Sequence, residues 1–143
     1  MIHYYAFKNF QSFQDRTVVS LLQSAKAPPR RWCVTSESGA SVSTALAVFG
    51  ANAAGKTALL KVLAFASWFA FESFYHDPER AIPLIAHFAS KDEPTEFEIE
   101  FESGGEIWRY ELTATTERVL YEALYKKRVR FNYVFIREWD AVL

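Results

Sequence analysis

The sequence predicts an α/β fold with a mixed sheet, one long helix and an antiparallel β-meander. Three observations carry that expectation. A short apolar run, residues 45–49, leads into a glycine-bounded loop and then into some twenty residues of helical character. Two β-forming segments, residues 2–7 and 16–22, flank a stretch holding the turn formers Asn9 and Asp15, which reads as a hairpin. From Thr95 onward apolar and polar residues alternate at period two, the pattern of strands with one buried face.

The loop is the sharpest feature. Gly50-Ala51-Asn52-Ala53-Ala54-Gly55-Lys56-Thr57 fits G-x-x-x-x-G-K-[ST], the phosphate-binding loop, and makes the expected fold a P-loop NTPase lobe. At ordinary residue frequencies such a match arises by chance in roughly one chain in two hundred of this length. Gly50 and Gly55 are expected to let the backbone turn tightly and approach a phosphate. The N–H groups along Asn52, Ala53, Ala54 and Gly55, with the N-terminus of the helix, would form a nest of positive partial charge. Lys56 would reach the β- and γ-phosphates, and the Thr57 hydroxyl would ligate Mg²⁺, so the expected cofactors are ATP and Mg²⁺. Residues 45–49 are expected to be a buried strand entering this loop.

Composition narrows the setting. The chain has 143 residues, half of them apolar, with thirteen Phe, seven Tyr and four Trp, enough for one well-packed domain. Formal net charge is −1, so no global field draws it to nucleic acid or anionic lipid. A single cysteine, Cys33, excludes an internal disulfide and a cysteine-based metal cluster. His3, His76 and His87 are scattered without metal-ligand spacing. The N-terminus has no signal-peptide pattern. Residues 58–71 are the most membrane-like, but the run is short and Lys61 interrupts it, which reads as a buried helix. The expectation is a cytoplasmic protein with no membrane contact.

In chain order, residues 2–7 and 16–22 form the hairpin, with Lys8-Asn9-Phe10-Gln11-Ser12-Phe13 at its turn. A strand ending in K-N-F-Q-S-F, a second strand and then F-G-A-N-A-A-G-K-T resemble the N-terminal lobe of ABC-type ATPases. The resemblance is to the branch holding RecF, SMC, the OLD nucleases and related bacterial AAA-family phage-defence ATPases. It covers the whole chain as the N-terminal lobe of an ABC-type ATPase domain, residues 1–75 giving hairpin, P-loop and helix and residues 95–137 the meander. It implies that residues 9–13 lie near the nucleotide; Gln11 is neutral where the family carries a basic residue. Residues 23–44, with Pro28-Pro29 and Gly39, read as a loop with a short strand at 31–34, where Arg30 and Arg31 are candidate phosphate contacts or plain surface charges. The helix is expected from Gly55 to about Tyr75, stopped by His76-Asp77-Pro78. Its apolar residues, Leu60, Val62, Phe69 and Phe74 among them, spread around most of the circumference and require cover on more than one side. In the meander, Glu96, Glu98, Glu100 and Glu102 are expected to face solvent.

Two further segments imitate catalytic motifs. Ser103-Gly104-Gly105-Glu106 copies the core of the ABC signature, but strands flank it where a helix should open, so it reads as a hairpin turn. Val134-Phe135-Ile136-Arg137-Glu138 imitates the strand that ends in a metal-binding Asp-Glu pair, yet Arg137 stands at the metal position and the run reads as an edge strand. The basic run Lys126-Lys127-Arg128 with Arg130, interleaved with aromatics, suits a nucleic-acid backbone or a solvated face. No catalytic residue is assigned. The resemblance implies an ATP-binding lobe whose missing C-terminal ATPase lobe acts in cis or in trans, with turnover expected of the complete assembly and not of residues 1–143 alone. It further implies a homodimer of heads or an associated effector protein, nucleotide-dependent head dimerisation, and work in DNA repair or phage defence. The alternative is a non-catalytic module that binds nucleotide or a partner for assembly.

Overall fold

The computed structural model describes residues 1–24, 31–75, 77 and 80–139. Its elements are β1 (Ile2–Lys8), β2 (Thr17–Ser20), β3 (Cys33–Thr35), β4 (Ser41–Ser43), α1 (Lys56–Glu72), a 3₁₀ turn (Ser73–Tyr75), β5 (Thr95–Ser103), β6 (Glu106–Ala114), β7 (Val119–Lys127) and β8 (Phe131–Glu138). The hairpin and the meander join in one six-stranded sheet of order β2-β1-β5-β6-β7-β8, because β1 pairs with β5 as well as with β2. β3 and β4 make a separate ribbon, tied on by Ser43 N–H to Leu21 O and Gln23 N–H to Ser41 O, both 2.8 Å. Every strand pairing among the described residues is antiparallel, which corrects the expected mixed sheet. Within the meander β5 to β8 the strands are joined by short turns, and a short turn can only reverse the chain.

The β5–β6 turn is the one predicted. Gly104 and Gly105 both take positive φ, 60° and 73°, the requirement of a two-residue hairpin turn that follows the sheet's twist. A Cβ on Gly105 would lie 2.8 Å from the Glu37 carboxylate, so the second glycine also makes room for the β3–β4 loop.

One face of the sheet is aromatic. Tyr5, Phe7, Phe97 and Leu112 form it, and α1 packs onto it through Val62, Phe65 and Phe69, residues at helical spacing along one stripe. Phe65 stacks on Phe97 with ring centroids 5.0 Å apart, and Phe10 meets Phe97 edge-on at 5.3 Å. Each such buried ring contributes about 1.5–3 kcal/mol. The helix follows the sequence expectation to within a residue, with its last turn tightened to 3₁₀; His76 and Pro78, the expected stop, lie outside the described residues. Its cover does not follow it. Leu60, Phe71, Phe74 and Tyr75 are exposed, so among the described residues only one side is buried. Lys56–Tyr75 as a whole is long and apolar enough by composition to cross a membrane, a length the shorter 58–71 run did not suggest. The stripe packed under the sheet is what a core helix presents.

The other face is polar, and here the sequence reading needs a second correction. Glu100 and Glu102 are buried at 8% and 6% exposure, not solvent-facing. Arg109 Nη2 donates to Glu100 at 3.0 Å, while Ser38 donates to Glu102 from its backbone N–H at 3.0 Å and its hydroxyl at 2.5 Å. His3 sits between the two carboxylates, its ring nitrogens 3.4 Å from each. Alternation reveals which residues share a face; it is silent on the β3–β4 ribbon folding over that face.

Asn9 ties the hairpin turn to the rest of the chain. It is fully buried with φ 55°, a left-handed conformation that Asn tolerates better than most residues. Its amide donates to the carbonyls of Ser90 at 2.9 Å and Glu93 at 2.8 Å, its Oδ1 accepts the His87 N–H at 2.9 Å, and its carbonyl accepts the Thr95 hydroxyl at 2.8 Å.

Two predictions follow from these buried polar groups. Asn9→Ala strands one N–H and several carbonyls in the interior and is expected to destabilise the fold by about 3 kcal/mol, read as a fall in urea midpoint with unchanged slope. The Ser38 hydroxyl bond, with help from Ser36, the Ser38 N–H and neighbouring His3 and against the opposing pull of burial, holds the Glu102 carboxyl down to about 2. A depressed folded pKa means stability that is present above the ordinary value of 4.5 and is lost as pH falls towards about 2. Urea midpoints measured down that range should fall more steeply for the parent than for Glu102→Gln.

Candidate phosphate-binding site

Residues 45–49 reach the loop without forming a strand or pairing with one, and Leu46, Val48 and Phe49 are 51%, 38% and 90% exposed. The expected buried strand therefore does not form. A strand of this apolar kind is buried when neighbours cover both its edges and its faces. Among the described residues the sheet places none beside it.

The loop itself has a defined shape. Ala53 and Gly55 take positive φ, 63° and 85°. A Cβ on Gly55 would lie 2.9 Å from Phe13 Cε2 and 3.2 Å from Ser12 Cβ, so the hairpin turn presses directly on this glycine. Gly50 has no comparable constraint, since the nearest atom to a Cβ there would be 3.4 Å away. Of the two glycines expected to free the backbone, Gly55 does so on both counts, by conformation and by close approach. Ala53 is the surprise: a residue with a Cβ in the left-handed region carries about 1–2 kcal/mol of strain. Strain of this kind concentrates at functional loops, and nothing in the sequence pattern marks it.

Lys56 opens α1 and folds back over the loop, its ammonium donating to Gly50 O at 2.8 Å and Ala51 O at 2.5 Å. The helix N-terminus has no side-chain cap and no acidic residue in its first turn. Its leading N–H groups are thus free of any competing carboxylate, which fits an anion at that end. Thr57, in the first turn, is exposed, as are Asn52, Ala53 and Ala54. The structure brings Gly55 against Ser12 and Phe13 of the hairpin turn. Gln11 is engaged through its backbone, donating to Ile85 O at 2.8 Å.

Other sequence candidates fall elsewhere. Arg137 pairs with Glu122 at 2.6 Å on the edge strand β8, in keeping with a structural strand there. Arg31 is exposed, and Arg30 lies outside the described residues. No group of three metal-ligating side chains occurs among the described residues. A cavity of about 140 Å³ on the polar face is lined by Lys8, Arg16, Glu96, Glu98, Glu111 and Tyr121 among others, with none of residues 50–57. Burial, then the nearby Glu98 charge, pushes the Glu111 carboxyl up; burial and the Tyr125 hydroxyl push the Tyr121 phenol up.

A family model described as "AAA domain, putative AbiEii toxin, Type IV TA system" matches residues 46–139, more than half of the chain, from the approach to the loop through to the last strand. A search of curated proteins returns no match.

The contact between Phe13 and Gly55 makes a sharp prediction. Gly55→Ala adds left-handed strain to a steric overlap and should destabilise the protein by about 2–4 kcal/mol in urea titration. Adding Phe13→Leu should restore part of that loss.

Proposed function

The chain belongs to this AAA-domain family, and on that premise we propose that residues 50–57 bind Mg·ATP as the phosphate grip of an ABC-type ATPase. Family membership makes it a nucleotide-binding, ATPase-like module; the ABC-type reading is ours. The observation that carries it is the loop geometry: Gly55 in the left-handed region under Phe13, Lys56 arched over the loop, and an uncapped, acid-free helix start. Lys56 would exchange its two carbonyl partners for phosphate oxygens, the backbone N–H groups of residues 52–55 would face the remaining oxygens, and the Thr57 hydroxyl would hold the metal. Bound Mg²⁺ neutralises charge on the β- and γ-phosphates.

The exposed apolar surfaces support the remainder of the reading. Residues 45–49 and the outer side of α1, with Leu60 and Phe71 exposed, suit cover by a second ATPase lobe in cis or in trans. Turnover then belongs to the assembly, through nucleotide-dependent dimerisation of heads or through an effector protein. The work this would drive is DNA repair or phage defence, in the cytoplasm. The acid-free first turn and the absence of a metal-ligating trio among the described residues also suit a second reading, a non-catalytic nucleotide-binding module used for assembly.

Calorimetric titration with Mg·ATP tests the grip. Loss of the charge-assisted bonds of Lys56 is worth about 1.5–3 kcal/mol, so Lys56→Ala is expected to weaken binding about 10- to 150-fold. Equal affinity in the two proteins overturns the assignment. Phosphate release that appears only when a second lobe is supplied separates the ATPase from the assembly module.

A further inference from the structure

We propose that the tip of the β7–β8 hairpin, with the adjoining face of β8, binds single-stranded nucleic acid. The charge of the described residues is unevenly distributed. Lys8, Arg16, Arg109, Lys126 and Arg137 each hold a carboxylate within ion-pair distance. Lys127, Arg128 and Arg130 are exposed at the tip, and no ion pair among the described residues involves them. A chain of net charge −1 therefore carries three unneutralised cations within four residues. A turn with that concentration of free positive charge attracts a polyanion.

The aromatic residues give the site its second property. Phe131 lies under two cations, Arg109 at 4.1 Å and Lys127 at 5.6 Å from its ring centre, which steadies the base of the tip. Tyr133 lies two residues further on the same face, opposite Tyr125, and is 70% exposed. An open ring beside free cations is the pairing that single strands need, phosphates on the cations and an unstacked base on the ring. A duplex hides the faces of its bases and would leave Tyr133 unused. At the tip Val129 is exposed and apolar, too little by itself to anchor in a bilayer, and the exposed Val134, Phe135 and Ile136 lie further along β8, beyond the cations. Glu96, Glu98 and Glu111 lie on the same face towards β1 and Glu138 at the far end of β8, so their carboxylates confine a strand to the tip and the neighbouring part of β8 around Tyr133. This site is independent of residues 50–57.

Fluorescence anisotropy of the full chain with a labelled oligothymidylate of about twenty nucleotides tests the proposal. Three phosphate contacts give a slope of about −2 in log K against log salt, so affinity should fall about twentyfold between 50 and 200 mM salt. Charge reversal at all three cations, Lys127→Glu with Arg128→Glu and Arg130→Glu, should abolish binding with an unchanged circular-dichroism spectrum. If that spectrum changes, the corresponding triple glutamine variant takes its place. Tyr133→Ala should weaken binding about tenfold and leave the salt slope unaltered, a combination that loss of charge cannot produce. Undiminished binding in the triple variant, no effect of Tyr133→Ala, equal affinity for a duplex, or preference for anionic vesicles or an acidic protein each overturns the assignment.

Discussion

The buried side chain of Asn9 is the constraint on which the arrangement depends. A turn of residues 9–13 has little to hold it in place by itself. Asn9 joins it to the segment running from His87 to Thr95 through hydrogen bonds made by its amide, its Oδ1 and its backbone carbonyl. With the turn fixed there, Phe13 stands against Phe7 at 5.1 Å and reaches Gly55. The loop of residues 50–57 is thereby tied, through Gly55, to the core of the sheet. A residue that reads in sequence as an ordinary turn former is the bond between the scaffold and the site.

What the sequence disclosed follows from how local the determinants are. The hairpin, the helix, all four strands of the meander and the Gly104-Gly105 turn are set by period, turn chemistry and loop length, and each was legible. The site was legible as a string of letters, and the structure adds the shape: Gly55 under Phe13, and strain at Ala53. Neither is encoded locally, since Phe13 comes to Gly55 only after β1 has paired with its neighbours. The burial of Glu100 and Glu102 was hidden for the same reason. Ser38, which covers Glu102, lies 64 positions away in sequence, and His3, beside Glu100, lies 97 positions away.

Residues 45–49 failed in an instructive way. Their composition is that of a strand buried on both faces, and burial of that kind is a property of neighbours, not of the segment. The described strands are all committed to antiparallel partners, and α1 spends its apolar stripe on the aromatic face of the sheet. What remains is a surface with Leu46, Phe49, Leu60 and Phe71 exposed, far more apolar than a free surface needs to be. The pattern was read correctly as apolar and wrongly as already covered.

The loop, finally, is closed on itself. Lys56 donates to the carbonyls of Gly50 and Ala51, bonds that a phosphate would replace in the proposed reading. In the proposed reading the backbone N–H groups and the helix terminus, with no side-chain cap and no acidic residue in the first turn, would add to what Lys56 supplies. Ala53 and Gly55 give the loop its left-handed turns, and Phe13 is the side chain that stands against Gly55. The packing on Gly55 begins at Asn9. If residues 50–57 grip phosphate as proposed, the grip should loosen whenever the hairpin turn does, even with every residue from Gly50 to Thr57 intact.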